Sequence, residues 1–398
     1  MLGRIAILDS TLREGEQTPG VYFDEHIKLA VASLLDEIGV DVIEAGHPIV
    51  TERISLAVRR LAGRGFRARV GAHARSLTRD VDKALECGVG FLGIFYCVAD
   101  ERLRDRNQTF EGAVDQISRV IRYARERKED LVIRYTPEDT VRSSFANVVS
   151  AASEAVRAGA DIISVADTTG CLIPRSRNSM FEYVSRLRDE LDRRNLSPRI
   201  AVHCHNDRGL ALANALEGYQ AGAGIIDVSV MGLGERAGIA DLAALMAVLA
   251  HDFGEGERWN LAKIPELYRL VSQYSGLPIP VNAPICGLNA FTHCAGVHTQ
   301  AALRNPLHYQ SLDPAIVGRA SEIALDHMAG LSALRHTLEM IGEDGVDEDL
   351  ARRLLHKIKE VGETGRTVGL EELRLIVGYF RGREGVAFGE GAAPGGPC

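Results

Sequence analysis

The sequence lacks several features that mark specialised classes of protein. Its 398 residues contain seven cysteines but no CxxC pair, so we expect reduced thiols and neither a disulfide framework nor a zinc framework. No tract is rich in Lys and Arg, and 46 basic against 54 acidic residues give a net charge of −8, which argues against a nucleic-acid partner. No apolar run approaches membrane length, and the apolar start, residues 1–8, is too short for a signal peptide. We therefore expect a cytoplasmic protein with no membrane partner.

The sequence does contain a regular alternation of two hydrophobic periods. Eight short apolar or β-branched runs are each followed by an amphipathic helical pattern, and they lack the strict alternation of strands exposed on one face. The runs cover 5–8, 41–45, 68–72, 91–95, 131–135, 161–165, 199–203 and 225–230. Eight strand–helix units in about 250 residues predict a (β/α)8 TIM barrel. An open doubly wound sheet is the alternative, but no GxGxxG turn follows the first strand.

The pattern changes after the eighth unit, and this predicts the domain organisation. Residues 1–258 would form the barrel, and 259–318 a linker or small subdomain with a helix at 262–275. Residues 319–385 are again periodic in the helical sense and predict a smaller, mainly helical C-terminal region. The final stretch, 386–398, is rich in Gly, Ala and Pro and predicts a disordered tail.

Ionisable residues are concentrated where the predicted strands end. In TIM barrels the active site is built at these ends, from the loops that lead into the helices. The charged or polar residues found there include Asp9, Arg13, Glu14, Glu44, His47, His73, Arg134, Thr136, Glu138, Asp167, Thr168, His203, His205, Glu235 and Arg236. Burying one unpaired charge costs several kcal/mol, so a whole rim of such groups predicts a catalytic or binding site.

His203 and His205 are the sharpest local signal. Two residues apart on a strand, their imidazoles point to the same face and can bind one ion, although a hydrogen-bonded pair in the core is the alternative. A carboxylate from another strand end would complete the site, with Glu14 as the first choice and Asp9 as the second. Such a set of N and O ligands suits Zn²⁺, Mn²⁺, Co²⁺ or Mg²⁺, and sequence does not choose among them.

Arg13 lies beside the proposed ligand and has two possible roles. It can stabilise a developing oxyanion while the metal polarises a substrate carbonyl, or it can neutralise Glu14 and Glu16. Glu44, Glu138 and Glu235 are candidates for positioning and acid/base roles, and each can equally hold an arginine or a loop amide.

Five motifs together resemble the homocitrate synthase and isopropylmalate synthase family. They are DSTLREGEQ at 9–17, VADTTG at 165–170, HCHND at 203–207, GLGERAG at 232–238 and FTHCAGVH at 291–298. The resemblance covers residues 3–330 and is closest to homocitrate synthases. It implies a metal-dependent Claisen-type condensation of acetyl-CoA with a 2-oxo acid, followed by thioester hydrolysis.

The resemblance assigns roles to individual residues. Glu14, His203 and His205 match the metal ligands, Arg13 the arginine at the keto oxygen, and Thr168 a threonine near the oxo-acid carboxylate. Gln17, Glu44 and Glu138 match polar active-site residues. His298, and more weakly Tyr309, match residues delivered into the active site of a partner subunit. A domain-swapped homodimer is therefore implied, with 259–318 contributing to the partner's site.

The acceptor acid is indicated by the fifth strand. Arg134 and Thr136 resemble the Arg-aromatic-Ser pattern that, with a histidine matched by His73, binds the distal carboxylate of 2-oxoglutarate. A buried guanidinium needs an anion, which favours a dicarboxylic acceptor, while an ion pair with Glu138 or Glu44 is the alternative. The sequence departs from the homocitrate synthase pattern at Cys294, His47, Arg208 and 328–332. Phosphonopyruvate, 2-oxoisovalerate and pyruvate therefore remain alternative acceptors. A metal-dependent C–C lyase is less favoured, because its Gly-Gly-Cys-Pro loop is absent.

Overall fold

The computed structural model describes residues 4–343 and 345–384 and contains a closed barrel of eight parallel strands in sequence order. The predicted TIM barrel and all eight of its strands are thereby confirmed. The strands are β1 Ala6–Asp9, β2 Val42–Glu44, β3 Arg69–Arg75, β4 Phe91–Phe95, β5 Val132–Thr136, β6 Ile162–Asp167, β7 Arg199–Cys204 and β8 Ile225–Val228. The barrel closes where Ala6 pairs with Ile225 and Asp9 with Val228.

Helices follow the strands and form the outer layer. In the first part of the chain they are α1 Glu25–Ile38, α2 Glu52–Ala62, α3 Thr78–Glu86, α4 Asp100–Asp105, α5 Phe110–Arg127, α6 Phe145–Arg157, α7 Met180–Arg193, α8 Ala211–Gln220, α9 Leu242–Asp252 and α10 Ile264–Ser275. Local sequence sets their ends: the Asp24 carboxylate accepts the Ile27 N–H at the start of α1. Gly39 ends the same helix with a φ of 97°, a conformation that favours glycine.

The barrel interior is apolar at one end and polar at the other. Side chains near the strand starts form one cluster: Ala6, Leu8, Val42, Phe91, Ile162, Ala201 and Ile225. At the carboxyl ends the buried groups include charged side chains such as Glu44 and Arg134, which are 0% and 1% exposed. Apolar side chains therefore fill the barrel near the strand starts, and the polar site lies at the carboxyl ends of the strands, as in other barrels of this type.

The compact unit that contains the barrel extends past the predicted boundary at residue 258, to Pro280 and again over Pro284–Cys286. The reason is α10, whose Tyr268 hydroxyl donates to Asp241 at the start of α9 at 2.8 Å. The same hydroxyl accepts the Ala243 N–H at 2.8 Å. This helix therefore belongs to the barrel layer.

The second unit comprises Val281–Ala283 and the chain from Gly287 onward. Its elements are β9 Thr292–His293, α11 Gly296–Arg304, β10 Glu322–Ile323, α12 Leu331–Met340, α13 Glu348–Gly362 and α14 Leu370–Glu384. Leu350, Leu354 and Ile358 of α13 pack into its core, so the helical C-terminal region is confirmed. The predicted tail, 386–398, lies outside the described residues. Within 4–343 and 345–384, no helix has both the length and the apolarity needed to cross a bilayer.

Candidate active site

A cavity of about 180 Å³ opens at the carboxyl ends of the barrel strands. Ten of the predicted site residues line it: Arg13, Glu14, Gln17, His73, Arg134, Thr136, Glu138, Thr168, His203 and His205. Glu44 is fully buried and contacts Arg13, His73 and Arg134 through its carboxylate. The strand ends thus converge as the sequence pattern predicted.

Glu14, His203 and His205 form the one group of metal-ligating type found among the described residues, with candidate ligand atoms all within 4.8 Å of one another. The His203 Nδ1 lies 3.0 Å from the Asp227 carboxylate, so this nitrogen carries the proton and Nε2 presents a lone pair. That Nε2 lies 3.3 Å from the His205 Nε2. Asp9, the second choice of ligand, lies outside the group and accepts the Thr11 N–H at 2.9 Å.

The electrostatics of these three residues suit a cation. Burial raises the pKa of Glu14, but nearby positive charge, chiefly the Arg13 guanidinium, outweighs it and lowers that pKa to about 2. Burial lowers the pKa of His205 to about 3, with neighbouring His203 contributing. The cluster therefore offers the anionic oxygen of Glu14 and the neutral imidazole of His205, which are the protonation states that metal binding requires.

The loop after β8 completes the surroundings of Glu14. The Glu235 N–H donates to the Glu14 carboxylate at 3.1 Å. The amide of Gln17, with its nitrogen turned toward Glu14, donates to both oxygens at 3.1 Å. Gly238 makes the loop possible, because a Cβ there would lie 1.8 Å from the Gly232 carbonyl oxygen.

Arg13 is fixed between two acids. Its Nε donates to Glu44 at 2.6 Å and its Nη1 to Glu14. If Arg13 neutralised acids, the candidates were Glu14 and Glu16, and the structure shows a pair with Glu14 alone. Glu16 is paired instead with Lys28, at 2.7 Å.

Lys28 is a buried lysine in α1 that ties the first loop to the second strand. Its Nζ donates to the Leu12 carbonyl at 2.6 Å and to the Ala45 carbonyl at 2.8 Å, in addition to Glu16. These acceptors flank Arg13 and Glu44 in the chain. All three hydrogens of the ammonium group are therefore used to hold the two segments together.

Arg134 corrects part of the sequence-based argument. Its Nη1 donates to both oxygens of Asp227, at 2.9 and 2.8 Å, and its Nη2 to Glu44 at 3.0 Å. The pair with Glu44 was one of the stated alternatives, whereas Glu138 is paired with Arg102 at 2.7 Å. Because the chain supplies the anions, the charge of Arg134 alone does not require a second acid on the substrate.

Four polar atoms of the residues that line the cavity lack a hydrogen-bond partner among the described residues. They are the Arg134 Nε, the Thr136 Oγ1, the Ser164 Oγ and the His205 Nδ1. Buried donors without partners are uncommon in native proteins and are expected where a ligand binds. Thr168 differs, since its Oγ1 accepts the Asp139 N–H at 3.0 Å and keeps its own hydrogen to donate.

His298 and Tyr309 lie in the second unit. His298 belongs to α11, both side chains are exposed, and their ring centroids are 4.3 Å apart. Their action in a partner's active site stays a prediction.

Comparison with known proteins places the chain in a family. The model named HMGL-like matches residues 4–271, and the homocitrate synthase post-HMGL domain-like model matches residues 285–366. The chain belongs to the HMGL-like family. Among curated relatives, "Homocitrate synthase" of Pyrococcus horikoshii is 41% identical over 90% of this chain and 95% of its own length. "Homocitrate synthase AksA" of Methanocaldococcus jannaschii is 36% identical over 94% of this chain and 90% of its own.

Solved structures of HMG-CoA lyases show the same fold. The HMG-CoA lyase of Brucella melitensis has a TM-score of 0.56 and 21% identity, covering 69% of this chain and 99% of its own. The lyase of Pseudomonas aeruginosa has a TM-score of 0.55 and 20% identity, over 68% of this chain and 92% of its own. At these identities the likeness concerns the barrel alone.

Five residues that line the cavity received no role from the sequence: His47, Phe95, Ser164, Ala166 and Asp227. Asp227 was detectable, because it is an acid inside the otherwise apolar strand β8. Such a position predicts a buried pair. Ser164 and Phe95 carry no such signal, since both residue types are ordinary in strands of a barrel.

Proposed function

We propose that this protein condenses acetyl-CoA with 2-oxoglutarate and releases homocitrate and CoA. The coarser statement, that the chain is a transferase condensing acetyl-CoA with a 2-oxo acid, rests on its homocitrate synthase relatives. One observation carries the finer proposal: a single cavity holds two sets of groups able to bind an acid. The first is the Glu14–His203–His205 cluster beside Arg13, and the second is the three unpartnered donors of Arg134, Thr136 and Ser164.

We further propose that Glu14, His203 and His205 hold a divalent cation, which is Zn²⁺, Mn²⁺, Co²⁺ or Mg²⁺. The donor set fits, because it combines a carboxylate oxygen with imidazole nitrogens and the Asp227 carboxylate orients His203. When bound, such a cation supplies Lewis-acid polarisation of a keto group and neutralises the adjacent acid.

The chain's own groups provide the remaining interactions. Arg13, held by Glu44, can donate to the keto oxygen and to the oxyanion that forms during condensation. The Thr168 hydroxyl can donate to the acid next to the keto group. The proposed candidates for proton transfer are Glu138 and, from a partner subunit, His298 and Tyr309.

The test is thiol release from acetyl-CoA, screened across 2-oxo acids with added divalent metal and with product identification by mass spectrometry. We expect release with 2-oxoglutarate and a product with the mass of homocitrate. Release only with phosphonopyruvate, 2-oxoisovalerate or pyruvate would show that this other acid is the acceptor. No release with any acceptor would favour a C–C lyase. Glu14→Gln should abolish both release and metal binding, while Glu154→Gln, an exposed helical carboxylate, should change neither.

Two accompanying proposals concern the assembly and the location of the protein. We propose a domain-swapped homodimer, since the predicted His298 role needs a second copy. The cytoplasmic location stays a prediction from the sequence.

A further inference from the structure

Two histidines lie side by side in the wall of the cavity. His47 follows β2 and His73 belongs to β3, and their rings meet edge to face with centroids 5.1 Å apart. The His73 ring also stacks on Phe95, with centroids 4.9 Å apart and an interplanar angle of 21°. The two rings are therefore held in fixed orientations by packing.

The hydrogen bonds of these rings fix which nitrogen carries the proton. The His47 Nδ1 lies 3.1 Å from the His73 carbonyl oxygen, which only accepts, so Nδ1 is the donor. The His73 Nδ1 lies 2.9 Å from the Glu44 carboxylate, and Nδ1 is again the donor. A neutral imidazole has one N–H, so each ring keeps a bare Nε2. Neither Nε2 has a hydrogen-bond partner in the described part of the chain.

The charges around the pair favour the neutral rings. Burial, together with His73 and Arg13 and against Glu44, lowers the pKa of His47 to about 3. Burial also lowers the pKa of His73. The positive charges of Arg13 and Arg134 lower it as well, whereas the negative charge of Glu44 raises it. These are the charged groups that face the pair from the loop after β1, from β2 and from β5. At neutral pH both Nε2 atoms are therefore acceptors.

An acid group in this part of the cavity meets a mixed environment. The Arg134 Nε, the Thr136 Oγ1 and the Ser164 Oγ can donate to it. The two bare Nε2 atoms can only accept, as a carboxylate does, so they repel it unless one gains a proton. The added negative charge itself favours protonation, because an opposite charge within about 4–6 Å stabilises an imidazolium.

We infer that an acceptor with a second acid group binds together with one proton from solvent, which is placed on the His73 Nε2. This inference rests on the proposed function and extends it to the protonation state of the complex. His73 is the ring that receives the proton because Glu44, 2.9 Å away, balances the new charge. The partner of His47 is an uncharged carbonyl, which offers less compensation.

Calorimetry of the metal-loaded enzyme tests this directly. 2-Oxoglutarate and 2-oxovalerate, which has the same chain length without the second acid, are titrated at pH 7.5 in buffers of different ionisation enthalpy. We expect 2-oxoglutarate to take up one proton more than 2-oxovalerate, and protons exchanged at the cation cancel in that difference. Where the uptake is complete, the Kd ratio between the two acids should change about tenfold per pH unit. A difference of zero overturns the inference without any variant.

Two matched variants locate the proton. His73→Asn keeps an N–H donor for Glu44 but removes Nε2, so the extra proton should disappear and preference for 2-oxoglutarate should fall about tenfold or more. His47→Asn keeps a donor for the His73 carbonyl, and the extra proton should remain. The opposite pattern would overturn the assignment to His73.

Failure of this inference is distinct from failure of the proposed function. Thiol release with 2-oxoglutarate together with no proton difference overturns the inference alone. If the protein neither binds nor turns over any dicarboxylic 2-oxo acid, both the proposed function and the inference are overturned.

Discussion

Arg134 shows how the surroundings of one residue decide its role. Its type and position predicted a contact with the substrate, and it does line the cavity. Its two terminal nitrogens donate to Asp227 and Glu44 through three of their four N–H groups, and Nε has no partner among the described residues. The residue is therefore first of all the centre of a buried charge network, and its Nε and one Nη2 hydrogen remain for contact with the acceptor.

This network makes Arg134→Ala a test of stability as much as of specificity. The substitution leaves Asp227 and Glu44 buried without their cation, so we expect a loss of about 3–5 kcal/mol in the free energy of unfolding. Urea unfolding followed by circular dichroism measures this. Arg102→Ala is the control, because its pair with Glu138 is partly exposed, and its removal should cost about 1 kcal/mol or less. Equal losses in the two variants would contradict the buried network.

At the scale of elements, α1 positions the loop that carries Arg13 and Glu14. Lys28 connects this loop to the end of β2 through two carbonyls, and Glu16 receives both Lys28 and the Phe23 N–H. A helix outside the barrel thus fixes a loop that lines the active site.

Lys28→Met should separate these segments. We expect a loss of about 2–4 kcal/mol in stability, because two buried carbonyls and a half-buried carboxylate lose their donor. We also expect weaker metal binding, since Glu14 is on the released loop. Lys263→Met provides the comparison, as its pairs with Glu37 and Glu266 are on the surface and should matter little. Unchanged stability and metal affinity in Lys28→Met would disprove the connecting role.

The junction of α9 and α10 predicts a dependence on pH. Burial raises the pKa of Asp241 to about 6, although it accepts hydrogen bonds from Ala244 and Tyr268. The folded state therefore binds this proton more tightly than the unfolded state. Its contribution to stability is full below pH 4 and is lost as the pH rises to about 6.

Asp241→Asn should remove that loss, because the amide cannot ionise and still caps α9. Between pH 5 and 7 we expect the variant to gain about 1 kcal/mol relative to the unmodified protein, measured by urea unfolding at each pH. Asp24→Asn changes the exposed cap of α1 and should show no such gain. A constant difference for Asp241→Asn across this range would refute the assignment.

At the scale of the whole molecule, the chain forms two compact units. The metal-type cluster lies in the barrel unit, while His298 and Tyr309 lie in the second unit. The predicted swapped dimer would unite them between subunits.

Coexpression of two inactive variants tests that arrangement. In a mixed dimer of Glu14→Gln and His298→Ala, one barrel has an intact Glu14 and meets the intact His298 of the other subunit. A random mixture should then recover about a quarter of the normal activity. Each variant alone is the control. No recovery would show that His298 does not act across the subunits.

The sequence by itself determined the barrel, its eight strands and the convergence of the strand ends. These follow from local hydrophobic periods and from the fact that parallel strands of a barrel all end at one rim. The pairing of buried charges was decided only by tertiary structure. Asp227 meets Arg134 from a strand 93 residues away, and Lys28 rather than Arg13 meets Glu16. Which anion and cation become neighbours depends on the stagger of the strands and on side-chain packing. Neither of these produces a hydrophobic period that can be recognised in the sequence.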